Sequence, residues 1–378
     1  MSESRDPENK PDRRARKGRA SERWLLGGAL GVAVVVLGVG GGLAAASGGN
    51  SESNPANSSD TGTAATGCPV TTVADQVLPS MVTIAATGEN GGGTGSGEVI
   101  RTDGYILTNN HVISIAADGG AIKVQFTDGA TADATLVGRD PLTDLAVLKV
   151  PPSDKLKAIA FGSSDSVRVG EPVVALGAPL GLSSTVTAGI VSALDRTVQV
   201  PGENDQSALL VSAVQTDAAI NPGNSGGALV NCDSKLVGVP TAGASVPSPS
   251  GEASGGSIGL GFAIPVDLAK TISNEIIDTG EVNHAYFGLQ TAPVPPAVAA
   301  QTGSPEGLHI VAVAQGGPAE QAGLRPGDVI TEIEGEAATS NIQLQELTLT
   351  EKPGDTVSMT YVRDGSSADA TVTLGTQP

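Results

Sequence analysis

The sequence predicts a mostly β protein: a strand-rich region sized for a sandwich or a pair of barrels, then a smaller unit. Three observations predict it. Between Cys68 and Ile264 the chain breaks into about a dozen short apolar runs bounded by turn residues, among them MVTIAA, YILT, IKVQF, LAVLKV, PVVALG and GLGFAIP. Gly (51) and Pro (24) are abundant, which favours turns over long helices. Aromatics are only 2% of the chain, so Val, Ile, Leu and Ala must build the core.

Taken in order, residues 1–23 hold eight Lys/Arg and five Asp/Glu, a charge of +3. The whole chain carries −19, so the remainder carries −22. That acidic bulk argues against nucleic acid as a partner, because phosphate binding needs a basic face. Residues 24–46 contain no charge, and one helix of about 20 apolar residues spans a bilayer. The basic run before it predicts a cytoplasmic N-terminus and an extracytoplasmic remainder. A cleaved signal peptide is the competing reading, and the long apolar run favours the uncleaved anchor. Residues 47–67 are Ser/Gly/Asn/Thr-rich and read as a flexible tether.

The strand-rich region, 68–282, ends in one predicted helix. Val266 to Thr279 carries apolar residues at Leu268, Ile272, Ile276 and Ile277, and Gly280 follows as a stop. The second unit, 283–378, contains PAEQAG as a short helix, RPGD as a turn and a helical stretch from Asn341 to Thr350. Cys68 and Cys232 are the only cysteines. An oxidising compartment permits a disulfide between them; two buried free thiols are the alternative. No CxxC or zinc-ligand spacing occurs, which argues against a metal site. The run Gly91 to Gly97 lacks the GK[ST] ending of a nucleotide cradle. No cofactor is expected.

The chemistry centres on NPGNSGG, Asn221 to Gly227. Ser225 between glycines fits the G-x-S-x-G elbow of hydrolases. It equally fits a turn in which the N–H groups of Gly223 and Ser225 form an oxyanion hole beside a nucleophile. A serine nucleophile needs a base. The chain has only His111, His284 and His309, and only His111 lies inside the strand-rich region. Asp144 directly precedes a wholly apolar strand, where a carboxylate is costly unless paired. It is therefore a better orienting acid than Asp128, Asp133 or Asp140. The order His, Asp, Ser and the lack of helical periodicity before Ser225 disfavour the hydrolase elbow.

GTGSGEVI, ILTNNHV, DPLTDLAVLKV, QTDAAINPGNSGGALVN, IGLGFAIP, YFGL and GPAEQAGLRPGDVI together resemble the HtrA/Deg serine proteases with a PDZ domain. The resemblance covers roughly Thr71 to Leu374 and looks like the membrane-anchored actinobacterial members. It implies a chymotrypsin-like pair of six-stranded β-barrels followed by a PDZ domain. It implies His111 as base, Asp144 as orienting acid, Ser225 as nucleophile, and Gly223 and Ser225 as oxyanion donors. Ala219 and Ile220 stand at the base of the specificity pocket and are uncharged, so cleavage is expected after small or aliphatic residues. Asn224 cannot form the activating ion pair of digestive relatives. Activation is expected instead from the loop Arg196 to Ala208, whose Arg196 matches a sensor arginine. The loop Thr241 to Ser257 is expected to gate access, and Pro240 departs from the family's usual Asn. Tyr286, Phe287, Gly288 and Leu289 resemble a loop that binds peptide carboxylates. The implied partners are unfolded protein or peptide substrates, peptide C-termini and a homotrimer. Two other readings are a silent PDZ scaffold and an esterase using His284.

Overall fold

The computed structural model describes residues 67–89, 91–178, 185–201, 207–243 and 257–377. The expected cytoplasmic segment, transmembrane helix and tether lie outside these residues, Gly67 apart. No helix among the described residues is long and apolar enough to cross a membrane.

Helix α1 (Val70–Val77) buries Val73 and Val77, then leads into the first barrel. Its strands are β1 (Met81–Gly88), β2 (Gly91–Val99), β3 (Tyr105–Thr108), β4 (Ala121–Phe126), β5 (Thr131–Asp140) and β6 (Leu145–Lys149). They close in the order β1-β2-β3-β6-β5-β4, with the short helix α2 (Asn110–Ile113) after β3. The apolar run LAVLK is buried on both faces, as a continuous run predicts. Ala146 and Leu148 join a core with Val82, Ile84 and Ile106, all from the first barrel. Leu145 and Val147 join a second core shared with Val174, Leu176 and Val230.

Those last three residues belong to the second barrel. Its strands are β7 (Ala160–Phe161), β8 (Pro172–Gly177), β9 (Thr185–Pro201), β10 (Ser207–Thr216), β11 (Ala228–Asn231), β12 (Lys235–Gly243) and β13 (Gly261–Pro265). They run β11-β8-β9-β10-β13-β12-β7, and β11 also pairs β12. Six strands therefore form the ring, and β7 is a parallel addition to β12.

Helix α3 (Val266–Thr279) follows as predicted. Its buried face is Val266, Ala269, Ile272, Ser273 and Ile276, whereas Leu268 and Ile277 are only half-buried. Gly280 at φ +87° stops it and donates to the Ile276 carbonyl at 2.9 Å. Cys68 and Cys232 form a disulfide, with Cα atoms 5.2 Å apart across 164 residues. Closing a loop of that length contributes about 5 kcal/mol in the chain-entropy model.

The second unit has its own core, built on Leu308, Ile310, Ile330, Val357 and Val372. Its strands are β14 (Ala285–Tyr286), β15 (Leu289–Val294), β16 (Gly307–Val313), β17 (Val329–Ile333), β18 (Glu336–Ala337), β19 (Thr356–Arg363), β20 (Ser366–Thr373) and β21 (Gly375–Thr376). Helices α4 (Pro296–Thr302), α5 (Pro318–Gln321) and α6 (Asn341–Thr350) complete it. Strand β15 stands at the edge of the order β15-β16-β17-β19-β20. A capping box at Ser340 and Gln343 starts α6. Buried Asp328 takes a two-point ion pair from Arg363, at 2.7 Å on each oxygen.

Candidate active site

The turn from Asp140 to Asp144 joins two barrel strands. Asp144 occupies it at φ +59°, a conformation rare for a residue with a Cβ. Its carbonyl takes the Asn110 N–H at 3.1 Å and Asn109 Nδ2 at 2.8 Å, which secures that backbone. Its carboxylate, 4% exposed, meets the His111 ring at Nδ1, 2.8 Å from Oδ2 and 3.1 Å from Oδ1. The His111 N–H donates to Oδ1 at 2.9 Å, and the Thr241 hydroxyl donates to Oδ2. A buried carboxylate thus has the partners its burial requires. Asp128 and Asp133 instead face Lys155 and Lys123 at the surface.

His111 lies in α2, one residue after its start, and its side chain is 40% exposed. Burial disfavours its cation, but the Asp144 hydrogen bond and charge prevail and hold the imidazole above its ordinary value. With Nδ1–H given to Asp144, Nε2 is the nitrogen left to act as a base.

Ser225 sits in a turn built from two short backbone bonds, Asn224 N–H to Asn221 O at 3.0 Å and Gly227 N–H to Asn224 O at 2.9 Å. Gly223 has φ +101° and Gly226 φ +74°. A Cβ at 226 would lie 2.3 Å from Thr108 Oγ1 and 2.5 Å from the Ser96 carbonyl, so only glycine fits there. The N–H groups of Gly223 and Ser225 donate to no acceptor among the described residues. The Ser225 hydroxyl donates to the Thr241 carbonyl at 3.2 Å, and no hydrogen bond joins it to His111 among these residues. Thr241 therefore touches both Ser225 and Asp144. Nothing in the run VPTAG marks it, since both contacts come from distant segments.

The gating loop expected from Thr241 begins later. Thr241–Gly243 complete β12, and 244–256 lie outside the described residues. Pro240 sits where the β12–β13 register shifts, as a residue without an N–H must, and its carbonyl takes the Gly226 N–H at 2.9 Å. Asn224 is buried and donates to the Ala219 carbonyl at 3.2 Å. Ile220, 4% exposed, packs in the second barrel with Val214 and Ala263. Arg196 is exposed on β9 opposite Ala213; residues 202–206 of its loop lie outside the described residues.

In the second unit a groove of about 310 Å³ runs between β15 and α6. Tyr286, Phe287, Gly288 and Leu289 line one end, and Asn341, Leu344, Gln345 and Thr348 line the helix side. The carbonyls of Phe287 and Gly288 are engaged by the N–H groups of Ala319 at 2.9 Å and Ala314 at 2.7 Å. Gly288 has φ +73°. His284 bonds no serine among the described residues: its Nε2 bonds Asp140 at 2.9 Å, and both side chains are buried. No group of His, Cys, Asp and Glu among the described residues could hold a metal ion.

Residues 95–239 match the trypsin-like peptidase domain and residues 281–374 the PDZ domain. The fold is that of a trypsin-like serine peptidase with a PDZ domain. Serine protease PepD of Mycobacterium tuberculosis is 42% identical over 366 residues, 92% of this chain and 77% of that protein. A probable periplasmic serine endoprotease DegP-like of Rhizobium meliloti is 41% identical over 286 residues, 75% of this chain and 53% of that one. The chain thus spans about half the length of the DegP-like relatives. The solved HtrA-type protease AlgW with decapeptide gives a TM-score of 0.65 at 33% identity, covering 82% of this chain and 99% of that one. The serine endoprotease from Yersinia pestis gives 0.61 at 33%, covering 82% and 98%. The chain belongs to the HtrA-type serine proteases with a PDZ domain.

Proposed function

We propose that the chain is an extracytoplasmic endopeptidase in which His111, Asp144 and Ser225 carry acyl transfer. The observation that carries this is the two-point grip of Asp144 on His111 Nδ1, joined to Ser225 through Thr241. Ser225 attacks a peptide carbonyl as its hydroxyl turns from Thr241 to His111, whose Nε2 takes the proton. The N–H groups of Gly223 and Ser225 hold the oxyanion. The imidazolium, stabilised by Asp144, gives that proton to the leaving amine as the peptide C–N bond breaks. Water, losing a proton to the regenerated Nε2, then hydrolyses the acyl-enzyme, and His111 returns the proton to Ser225.

Cleavage follows small or aliphatic residues, because Ala219 and Ile220 bring no charge to the pocket base and Ile220 lies in an apolar core. Unfolded or damaged envelope proteins are the substrates. The PDZ groove takes a peptide C-terminus as an added strand on β15. Its other wall, α6, also bonds the protease domain, where the Thr197 hydroxyl of β9 donates to Glu346. That contact supports regulation through the hairpin bearing Arg196. The word periplasmic in the names of the DegP-like relatives supports an extracytoplasmic site. Anchoring by residues 24–46 and a homotrimer complete the proposal.

A fluorophosphonate should label the protein at Ser225, and Ser225→Ala should abolish labelling and peptide-library cleavage together. Dominant cuts after Lys or Arg would overturn the pocket assignment, and unchanged cleavage by Ser225→Ala would overturn the nucleophile.

A further inference from the structure

The glycine-rich run of β2 has no part in the roles above, yet it carries one fully buried hydroxyl, Ser96. Ser96 lies in the first barrel and reaches the serine turn of the second. Its N–H donates to the Ser225 carbonyl at 2.9 Å. Its hydroxyl donates to the Gly223 carbonyl at 2.5 Å and accepts the Ala178 N–H at 2.7 Å. Its own carbonyl takes the Thr108 hydroxyl at 2.7 Å. The flanking glycines are explained by packing alone. A Cβ at Gly95 would come within 2.6 Å of the Val112 side chain, and one at Gly97 within 2.8 Å of Ile84. Packing does not call for a polar side chain between them.

We propose that Ser96 is a positioning residue for the oxyanion turn, tethering the carbonyls of the same two residues whose N–H groups hold the oxyanion. The proposal rests on the acyl-transfer reading above. The physical argument starts from the planarity of the peptide unit. The plane between Gly223 and Asn224 stands between the two planes that carry the oxyanion donors. Gly223 has no Cβ and adopts φ +101°, so it is the joint about which those planes can turn. A bond to its carbonyl opposes that turn. Oxyanion donors act by being aimed before the charge develops, so a loss of aim reduces transition-state binding and leaves substrate binding alone. Because Ser96 belongs to the other barrel, the tether also makes the hole depend on how the barrels meet.

The test is Ser96→Ala in the full chain, with turnover normalised to fluorophosphonate-titrated sites. We expect kcat to fall about 10- to 100-fold with KM within about twofold. Affinity for a peptide boronate, whose adduct mimics the tetrahedral oxyanion, should fall by the same factor. Uncleaved peptide should bind Ser225→Ala and the Ser96→Ala/Ser225→Ala double variant equally, and the pH profile should keep its acid limb. Should Ser96→Ala not fold, Ser96→Cys, with a weak donor in nearly the same volume, should show the same kcat loss in smaller degree. A variant with wild-type kcat and boronate affinity, or one weakened in KM alone, overturns the proposal. If wild-type protein reacts with neither probe, the acyl-transfer reading falls and the tether falls with it.

Discussion

Two histidine–aspartate pairs share the turn after β5. Asp140 opens the turn and bonds His284, which comes from the segment entering the PDZ domain. Asp144 closes it and bonds His111. Both distances are short, 2.9 and 2.8 Å, and both acids are buried. The pairs differ in which nitrogen is used. Asp144 takes Nδ1, the nitrogen nearer the backbone, so Nε2 of a 40% exposed ring remains for a substrate. Asp140 takes Nε2 itself, and the His284 side chain is only 8% exposed. A histidine–carboxylate contact is therefore no sign of catalysis until the outer nitrogen and its access are known. The first pair leaves an outer nitrogen open to solvent, as the proposed base requires; the second is a buried strut between domains.

The largest expected difference comes from removing each ring. His111→Ala should lower kcat by about 10⁴- to 10⁶-fold, the scale seen when a triad member is deleted. His284→Ala should keep activity within about tenfold and cost about 1–3 kcal/mol in urea unfolding, because it strips a partner from a buried carboxylate. Equal activity losses in the two variants would erase the distinction. Replacing the acids sharpens it: Asp144→Asn should drop kcat by about 10⁴-fold through the wrong imidazole tautomer, and Asp140→Asn should not.

The pH profile gives a smaller effect. The base works as neutral imidazole, and Asp144 raises the pH at which His111 loses its proton. The acid limb of kcat/KM should therefore lie above the ordinary histidine value, with activity rising as pH rises through it. In the residual activity of Asp144→Asn the limb should move to lower pH. A limb unmoved by that substitution would mean that another group titrates.

Much of this is legible in the amino-acid sequence. Helix α3 was readable because an apolar period and a stopping glycine are local facts, and it runs from Val266 to Thr279 as expected. Asp144 was readable because a carboxylate leading a wholly apolar strand must find a partner. Cys68 and Cys232 were readable only as a permitted pair, since chain pattern does not fix the distance between residues 164 apart. Thr241 and Ser96 were not readable. Their importance lies in bonds to residues 97 and 127 positions away, which arise only once both barrels close. The second role of Asp140 was hidden for the same reason, because His284 belongs to another domain.

The smallest effect concerns a third buried carboxyl that lacks what the other two have. Glu98 is fully buried in β2, paired across the sheet with Met81 and Leu107, both fully buried and apolar. Neither of its oxygens has a partner among the described residues. Burial pushes its carboxyl well above the usual range, so it holds its proton to higher pH than an ordinary carboxylate. An acid whose folded-state value is raised binds its proton more tightly folded than unfolded. Stability is then greatest below the ordinary carboxylate range and declines as pH rises toward the folded value. Glu98→Met keeps the length and removes the polar atoms. It should be more stable than wild type at pH 8 by about 1–3 kcal/mol and should lose part of the decline between pH 5 and pH 8 in urea unfolding. An identical decline in both proteins would mean that Glu98 gains a partner in solution, and the contrast with the two histidine-bound acids would then vanish.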